Sequence, residues 1–394
     1  MAFAGLRGTG SWGTDERPKN FREGILFRKP NGTAIVTALT SKSKKQSVND
    51  PEFAWWEEQL ANWRTQINDA SGYTATSNTI TIDSGGLELV AGDIVLIEQV
   101  ETATYDEEFA EVSSVTSDTV IVLKRGVAGT TATGLADDIW LTRIGDFHEE
   151  GSTLPAVSQR NPTKVSNYAQ IFRTVFGATK TADATQARTG DAYKTDKKRK
   201  MFDHFNKIEW AFLFGVANEN TSGSFPKRTT KGVRSFITTN VKIYTTSPTE
   251  DDFLDQISPI FDWTKESEAD GERIVLCGNG FANNLNKLAR NSSSTRINFN
   301  GTIKVYGMEL QKWVLPQGTI GLKTHPIMNN HARFTNSAFF LDFSNIIYRP
   351  LRDTKFEDNV QSPGEDSIKG HWITECGLEL HHEKTMAYLG NFVI

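Results

Sequence analysis

The strongest local constraint lies in residues 191–217, DAYKTDKKRKMFDHFNKIEWAFLFGVA. Met201, Phe205, Ile208 and Phe212 are spaced i, i+4, i+7 and i+11, which places them on one face of a helix as its expected core. Lys194, Lys197, Lys198, Arg199 and Lys200 make the first half wet and basic. Trp210 to Phe214 is apolar all round, so that end is predicted to be buried. Gly190 and Asp191 supply a start signal and Gly215 a stop. About 25 residues at ~1.5 Å each give a rod on the order of 38 Å, a strut against which several elements can pack. The basic run reads as a solvated helix face in preference to a phosphate contact.

A length of 394 residues fits two or three domains. Hydrophobic residues make up 38%, enough for a core, and 24 Phe with 9 Trp suit interfaces as well as interiors. The net charge of −5 exerts no global pull toward nucleic acid. Two cysteines, Cys277 and Cys376, do not make a disulfide framework. The start, MAFAGLRGTGSWGTDERPKN, lacks the apolar core of a signal peptide, and no run reaches the ~20 apolar residues of a membrane helix. The expectation is a soluble chain, cytosolic when made, without membrane contact.

Residues 1–50 do not read as a self-contained fold. Their apolar patches, Ile25-Leu26-Phe27 and Ala34 to Leu39, have little reason to sit in a solvated tail, which favours an arm that orders against a neighbour over plain disorder. In residues 51–63, Asp50 as N-cap and Pro51 at the first helical position predict an amphipathic helix with Phe53, Trp56, Leu60 and Trp63 on one face. Between 73 and 146 short β-rich runs alternate with turn signals: Thr79–Ile82, Ile94–Ile97, Phe109–Val115, Thr119–Leu123 and Ile139–Leu141. Spacings of about 8–12 residues predict a small antiparallel sheet or barrel. Val165 to Phe176 reads as extended. Beyond the strut, a helix is expected from Phe253 to Trp263, capped by Thr249. Further along come a buried strand Arg273–Cys277, a helix Gly280–Arg290 and strands at Ile303–Leu315 and Gly318–Lys323. The last part reads as strands at Phe339–Phe343, Ile346–Leu351 and Ile373–Tyr388, with a charged loop from Asp353 to Lys369.

No chemistry stands out. His381-His382-Glu383 invites a metal, but neighbours on a strand point to opposite faces and cannot easily share an ion. Cys277-Gly-Asn-Gly280 lacks the flanking pattern of a nucleophile turn, so a buried free thiol is the simpler meaning. The acids Glu98, Glu101, Asp106, Glu107, Glu108 and Glu111 show no fixed ligand spacing and read as a solvated face. Gly8 to Gly13 precedes neither strand nor helix and is no phosphate loop. No catalytic, cofactor or metal residues are expected, and the chain is not expected to be an enzyme.

The order of these parts, with the phrases Asn161-Pro-Thr163, Asn167-Tyr-Ala-Gln-Ile-Phe172, Ile208-Glu209, Glu375-Cys-Gly-Leu-Glu-Leu380 and Gly390-Asn-Phe392, resembles the major capsid proteins of tailed bacteriophages with the Hong Kong-type fold. The match is to the branch with a β-rich insertion ahead of the spine helix. Leu123-Lys-Arg-Gly126-Val-Ala-Gly129-Thr130 is similar to a turn of small β-modules in phage structural proteins.

The resemblance implies an α+β fold with a long spine helix, axial and peripheral domains, a barrel-like insertion in an extended loop and an N-terminal arm. Residues 1–50 would be the arm, 51–63 a peripheral helix and 64–152 the extended loop. Residues 153–232 would form the peripheral domain with its spine at 191–217, 233–330 the axial domain, and 331–394 strands returning to the peripheral domain. Copies would form hexamers and pentamers of an icosahedral shell around packaged double-stranded DNA, without sequence-specific contact. Portal, scaffolding and decoration proteins would be the partners, and the virion the location. Ile25, Leu26, Phe27, Phe53, Trp55, Trp56 and Trp63 are the expected contacts between subunits. Glu209, among apolar residues, is expected to pair with a base such as Arg173. A tail or decoration protein with a glycan-binding β-module is the alternative; a hydrolase would need a residue cluster that is missing.

Overall fold

The computed structural model describes residues 45–60, 63–98, 107–185, 190–263, 272–291, 299–305, 308–315 and 317–394. The chain divides into two compact units, Trp56–Val165 and the remainder. Strands are numbered along the chain.

β1 (Glu52–Glu57) stands where the capping pattern predicts a helix. Phe53 and Trp55 are buried while Ala54 and Trp56 are exposed, a period of two. The Asp50 side chain does accept the Glu52 N–H, but it closes a local turn and no helix follows. β1 pairs with β8 (Thr163–Tyr168).

Within Trp56–Val165, the first strand, β2 (Arg64–Gln66), lies ahead of the β-rich runs, and each of the five runs becomes a strand: β3 (Thr79–Thr81), β4 (Asp93–Glu98), β5 (Glu108–Ser117), β6 (Val120–Val127) and β7 (Trp140–Asp146). They form one six-stranded antiparallel sheet in the order β2-β7-β4-β5-β6-β3. Alternate residues point inward, so Val95, Ile97, Ala110, Val112, Ile121 and Leu123 meet Trp63 in a separate core. Near the end of β6, Gly126 has φ 65°, which glycine adopts without strain, and in the turn that follows Thr130 Oγ1 donates to the Val127 carbonyl.

The acids of this unit are not all solvated. Glu108 is fully buried, forks with Arg125 and accepts the N–H groups of Gly126 and Thr133 at 3.2 and 3.1 Å. The Arg64 guanidinium, hydrogen-bonded to Glu98, holds that carboxyl below its usual range. Glu111 pairs with Lys124 at 3.4 Å. Glu101 and Asp106 lie outside the described residues.

In the larger unit, β9 (Gln170–Thr179) precedes the long helix α1 (Ala192–Phe214), which the Asp191 side chain caps by accepting the Lys194 N–H at 3.0 Å. Its 23 residues span about 35 Å. Gly215 ends it with φ −61°, so the glycine is not there for a left-handed turn. It is there for space: a Cβ would sit 2.4 Å from the carbonyl oxygens of Ala211 and Thr230.

After the hairpin β10 (Asn218–Asn220) and β11 (Lys227–Thr229) come β12 (Val241–Ile243) and α2 (Glu250–Ile257). Thr249 and Asp252 form a reciprocal capping box at the start of α2. The helix stops well short of Trp263 because Pro259 enters a tighter turn, Ser258–Ile260. β13 (Glu272–Cys277), α3 (Asn279–Asn291), β14 (Phe299–Val305), β15 (Met308–Val314) and β16 (Thr319–Thr324) follow. The single strand expected over Ile303–Leu315 is thus a hairpin. β17 (Ala338–Leu341), β18 (Ile346–Glu357), β19 (Ser367–Leu380) and β20 (Ala387–Gly390) complete the chain.

Seven strands form a mixed sheet, β12-β20-β17-β13-β16-β15-β14. β13 and β17 are buried on both faces, which explains their unbroken apolar runs. Phe253, Phe281, Trp313, Phe340 and Phe392 fill the core beside them, with Phe253 stacked on Trp313 at 5.2 Å and 7°. A second sheet, β18-β19-β9, is antiparallel and carries α1. Of the C-terminal strands, β18 and β19 join α1, but β17 and β20 belong to the seven-stranded sheet. Of the stretch expected to be a charged loop, the two ends are ladder, Asp353 to Glu357 in β18 and Ser367 to Lys369 in β19, and residues 358–366 form the loop. At the β18 edge Lys45 bridges Tyr348 in parallel, and the Gln46 N–H donates to the Tyr348 carbonyl at 3.1 Å. On its side away from β19, β9 pairs with no strand among the described residues.

Arg125→Met leaves the Glu108 charge buried and unanswered, and should lower the stability of the insertion unit by about 3 kcal/mol or more. Arg125→Met with Glu108→Leu should recover most of that loss, as read from urea unfolding.

Candidate assembly interface

The residues expected to meet other subunits divide sharply. Ile25, Leu26 and Phe27 lie outside the described residues. Phe53 and Trp55 are spent inside their own chain: Trp55 packs on Phe53, Phe236 and His381 with ring centroids 6.3, 6.0 and 5.8 Å apart. Phe53 also lies over Gly377, where any Cβ would meet the ring at 2.7 Å. Trp63 is 6% exposed and donates from Nε1 to the Gly85 carbonyl at 2.7 Å. Trp56 alone of the four is open, 67% exposed. In the chain itself, then, Phe53, Trp55 and Trp63 are core residues, because alternation on β1 and the sheet next to Trp63 enclose them.

Other large apolar side chains stand in solvent that sequence reasoning passed over. Leu60 and Leu87 are 80% and 63% exposed. Residues 149–164 are exposed throughout, and Leu154 and Val157 reach 94% and 85%. The only sequence signal for that stretch is apolar residues set among Ser, Thr and Pro with no period. On β9, Ile171 and Val175 are each 53% exposed and flank Arg173.

The core face of α1 is turned from the expected one. Ile208 and Phe212 are buried, but Met201 is 40% exposed and Phe205 only half-buried. His204 takes the inner position, one turn before Ile208. Its Nδ1 lies 3.1 Å from Thr174 Oγ1 on β9 and its Nε2 2.7 Å from Thr374 Oγ1 on β19. Burial pushes the imidazole down to about 4, with Lys207 adding to the effect. The basic run is a solvated face: Lys194, Arg199 and Lys200 pair with Asp191, Asp196 and Asp203 at 3.1 Å. Lys197 Nζ lies 3.3 Å from the centre of the Phe356 ring.

Glu209 is buried, and its partner is His325 at 2.9 Å, not Arg173, which is exposed on β9. His325 Nδ1 accepts the Ile327 N–H at 3.2 Å, so Nε2 carries the proton and donates to Glu209 Oε1. This bond joins the end of α1 to the turn after β16.

No enzyme-like cluster forms around the candidate residues. His381 bonds to Glu379, and His382 sits in a left-handed turn with φ 50°, outside any strand. Glu383 accepts the N–H groups of Thr238 and Thr239 at 2.9 and 3.2 Å. Among the described residues no group of three or more His, Cys, Asp or Glu is placed to hold a metal. Cys277 and Cys376 are buried and unpaired, and burial pushes both thiols up to about 12, far from a reactive thiolate. A cavity of about 350 Å³ in the insertion unit is lined by Asp93, Arg143, Asp146 and His148. These groups are already engaged, Arg143 in an ion pair with Asp93 at 2.7 Å and His148 in a hydrogen bond with Asp146 at 3.0 Å.

Two outcomes are expected. His325→Ala should cost about 3 kcal/mol, because a buried carboxylate loses the donor that ties it to the turn after β16, and Glu209→Leu with His325→Leu should cost much less. For His204, the folded value near 4 lies below the ~6.5 of an open chain, so the unfolded chain takes the proton first as pH falls. Its contribution is complete above about pH 6.5 and declines from there to about pH 4. Thermal melts across that window should show the decline in the parent and a flatter profile in His204→Gln.

A family model for the SU10 major capsid protein matches residues 6–392. The major capsid protein of Pseudomonas phage PaMx41 is 26% identical over 402 aligned residues, covering 98% of this chain and 93% of that one. Among solved structures, Mycobacterium phage Bobi aligns over 95% of both chains with 10% identity and a TM-score of 0.45. The capsid of Myoviridae phage XM1 aligns over 94% of this chain and 96% of that one, with 7% identity and a TM-score of 0.42. A match running almost from end to end leads to one assignment: this chain belongs to the SU10 major capsid protein family.

Proposed function

We propose that the chain is the shell subunit of a tailed-phage head, assembling as hexamers and pentamers into an icosahedral capsid around packaged double-stranded DNA. The family match over residues 6–392 carries this reading, since it spans both units and not the insertion alone. Family membership sets aside the alternative of a tail or decoration protein. In this reading residues 1–50 are the arm and Trp56–Val165 is the extended loop with its insertion. The long helix Ala192–Phe214 is the spine, and the seven-stranded sheet is the axial domain. Portal, scaffolding and decoration proteins would then be its partners, and the host cytoplasm its place of synthesis.

The surface supports self-association. An exposed Trp56 together with Leu60, Leu87, Leu154 and Val157 puts much apolar area in water on one unit. Aromatic anchors of this kind dominate contact energies once covered. Trp56→Ala should give a soluble protein, because most of the ring stands in solvent in its own chain, yet one that forms few or no shells. Negative-stain microscopy of purified protein tests both parts: closed particles from the parent, and their loss in the variant. A parent that stays dispersed at high concentration would sink the proposal; normal shells from Trp56→Ala would remove that residue from it.

A further inference from the structure

The cavity of about 350 Å³ in Trp56–Val165 has two walls of different character. One is built from β4, β7 and the residue two beyond it, and carries Asp93, Arg143, Asp146 and His148. The other is the exposed stretch 155–160, which brings Pro155, Ala156 and Arg160. That stretch is tied down at two points. Ser158 Oγ lies 3.2 and 3.1 Å from the carbonyl oxygens of Leu87 and Glu88, and Arg160 pairs with Glu88 at 2.5 Å.

The charged groups come in donor–acceptor couples: Arg143 with Asp93, Arg160 with Glu88, and His148 with Asp146. Asp93 is closed off, 2% exposed, and its Oδ2 accepts the Val90 N–H at 2.8 Å. The other five side chains are between 33% and 57% exposed. A guanidinium has five N–H donors and a carboxylate about four acceptor sites, so one contact exhausts neither. Each arginine couple therefore shows a visitor an N–H beside a carboxylate oxygen.

This pattern selects among ligands. An apolar molecule would strip water from the charges and return no hydrogen bonds. A polyanion meets the field of a unit with 18 Asp and Glu against 6 Lys and Arg, a net −12. A free ammonium or carboxylate would have to pull a couple apart, leaving one charge unanswered. A hydroxyl donates to the oxygen and accepts from the N–H, so it adds to a couple without breaking it. Neighbouring hydroxyls on a ring repeat that match. We propose that this cavity binds a neutral saccharide, its hydroxyls on the Arg143–Asp93 and Arg160–Glu88 couples and its C–H face on Pro155 and Ala156. The volume lies within the ~300–1,000 Å³ of small-molecule sites. The site gives the chain a second activity, holding carbohydrate, that is separate from contact between copies.

Saturation-transfer NMR on the full chain tests this, with glucose, galactose, N-acetylglucosamine and maltose as separate probes. The expected result is transfer to at least one of the four, and weaker transfer to glucose 6-phosphate. Ala156→Trp fills the cavity without touching a couple and should abolish the signal. Leu154→Ala, at a side chain 94% exposed and outside the lining, should leave it unchanged. Should Ala156→Trp fail to fold by circular dichroism, Glu88→Met with Arg160→Met, which removes one couple whole, takes its place with the same expectation. Three results would each overturn the inference: no transfer to any of the four sugars, transfer that survives the blocking variant, or transfer to glucose 6-phosphate as strong as to the best neutral sugar. The signal is read on dispersed chains and on shells alike. Its absence leaves the assembly proposal standing, and a parent that forms no shells leaves this one standing.

Discussion

The larger unit depends on how one long helix with too little grease is held down. α1 offers Ile208, Phe212 and Leu213 to the interior near its end, but its middle turns a histidine inward. A buried imidazole is tolerable only with both ring nitrogens occupied, and Thr174 and Thr374 supply that from two adjacent strands. A turn further on, Glu209 reaches His325. These bonds tie α1 to both sheets of the unit at defined points. Apolar contact alone would let a helix slide or roll, while directional bonds in a dry interior fix its depth and rotation.

The insertion unit solves the same problem on a smaller scale. Its sheet is built from short strands with a clean alternation, and the fully buried charge of Glu108 is answered by Arg125 and two backbone N–H groups. Each unit thus has its own core and its own polar pins. The surfaces left over are the unusual part: acidic in one unit, basic in the leading segment, and studded with open Leu, Val and Trp.

Much of the architecture was legible in the sequence, for reasons that differ by element. The insertion strands were visible because period-two alternation and glycine turns are strong local signals. The bounds of α1 followed from Asp191 and Gly215, although the glycine serves close approach instead of chain reversal. The helix expected over residues 51–63 failed because Asp50-Pro51 is compatible with a turn as well as a cap, and burial of Phe53 and Trp55 decided the matter. The inner face of α1 was misplaced because the apolar spacing that picked out Met201 and Phe205 carries no sign that His204 is buried between two strand threonines. The partner of Glu209 was beyond reach, since a contact over 116 positions leaves no mark on local pattern. For the same reason, residues 73–146 could be read as strands while nothing in them announced that Glu108 is buried. The apolar side chains of residues 149–164 were missed because exposure is not periodic.

The open side of β9 bears on the chain's history before it meets its copies. Among the described residues no strand pairs with β9 beyond β19, and Ile171 and Val175 stand out on it. Such an edge accepts any extended peptide, right or wrong. A newly made subunit therefore faces a race between ordered growth of a shell and random sticking to its siblings, and crowding during infection speeds both. Slow release of chains from the ribosome favours the ordered outcome; a burst of synthesis favours clumping.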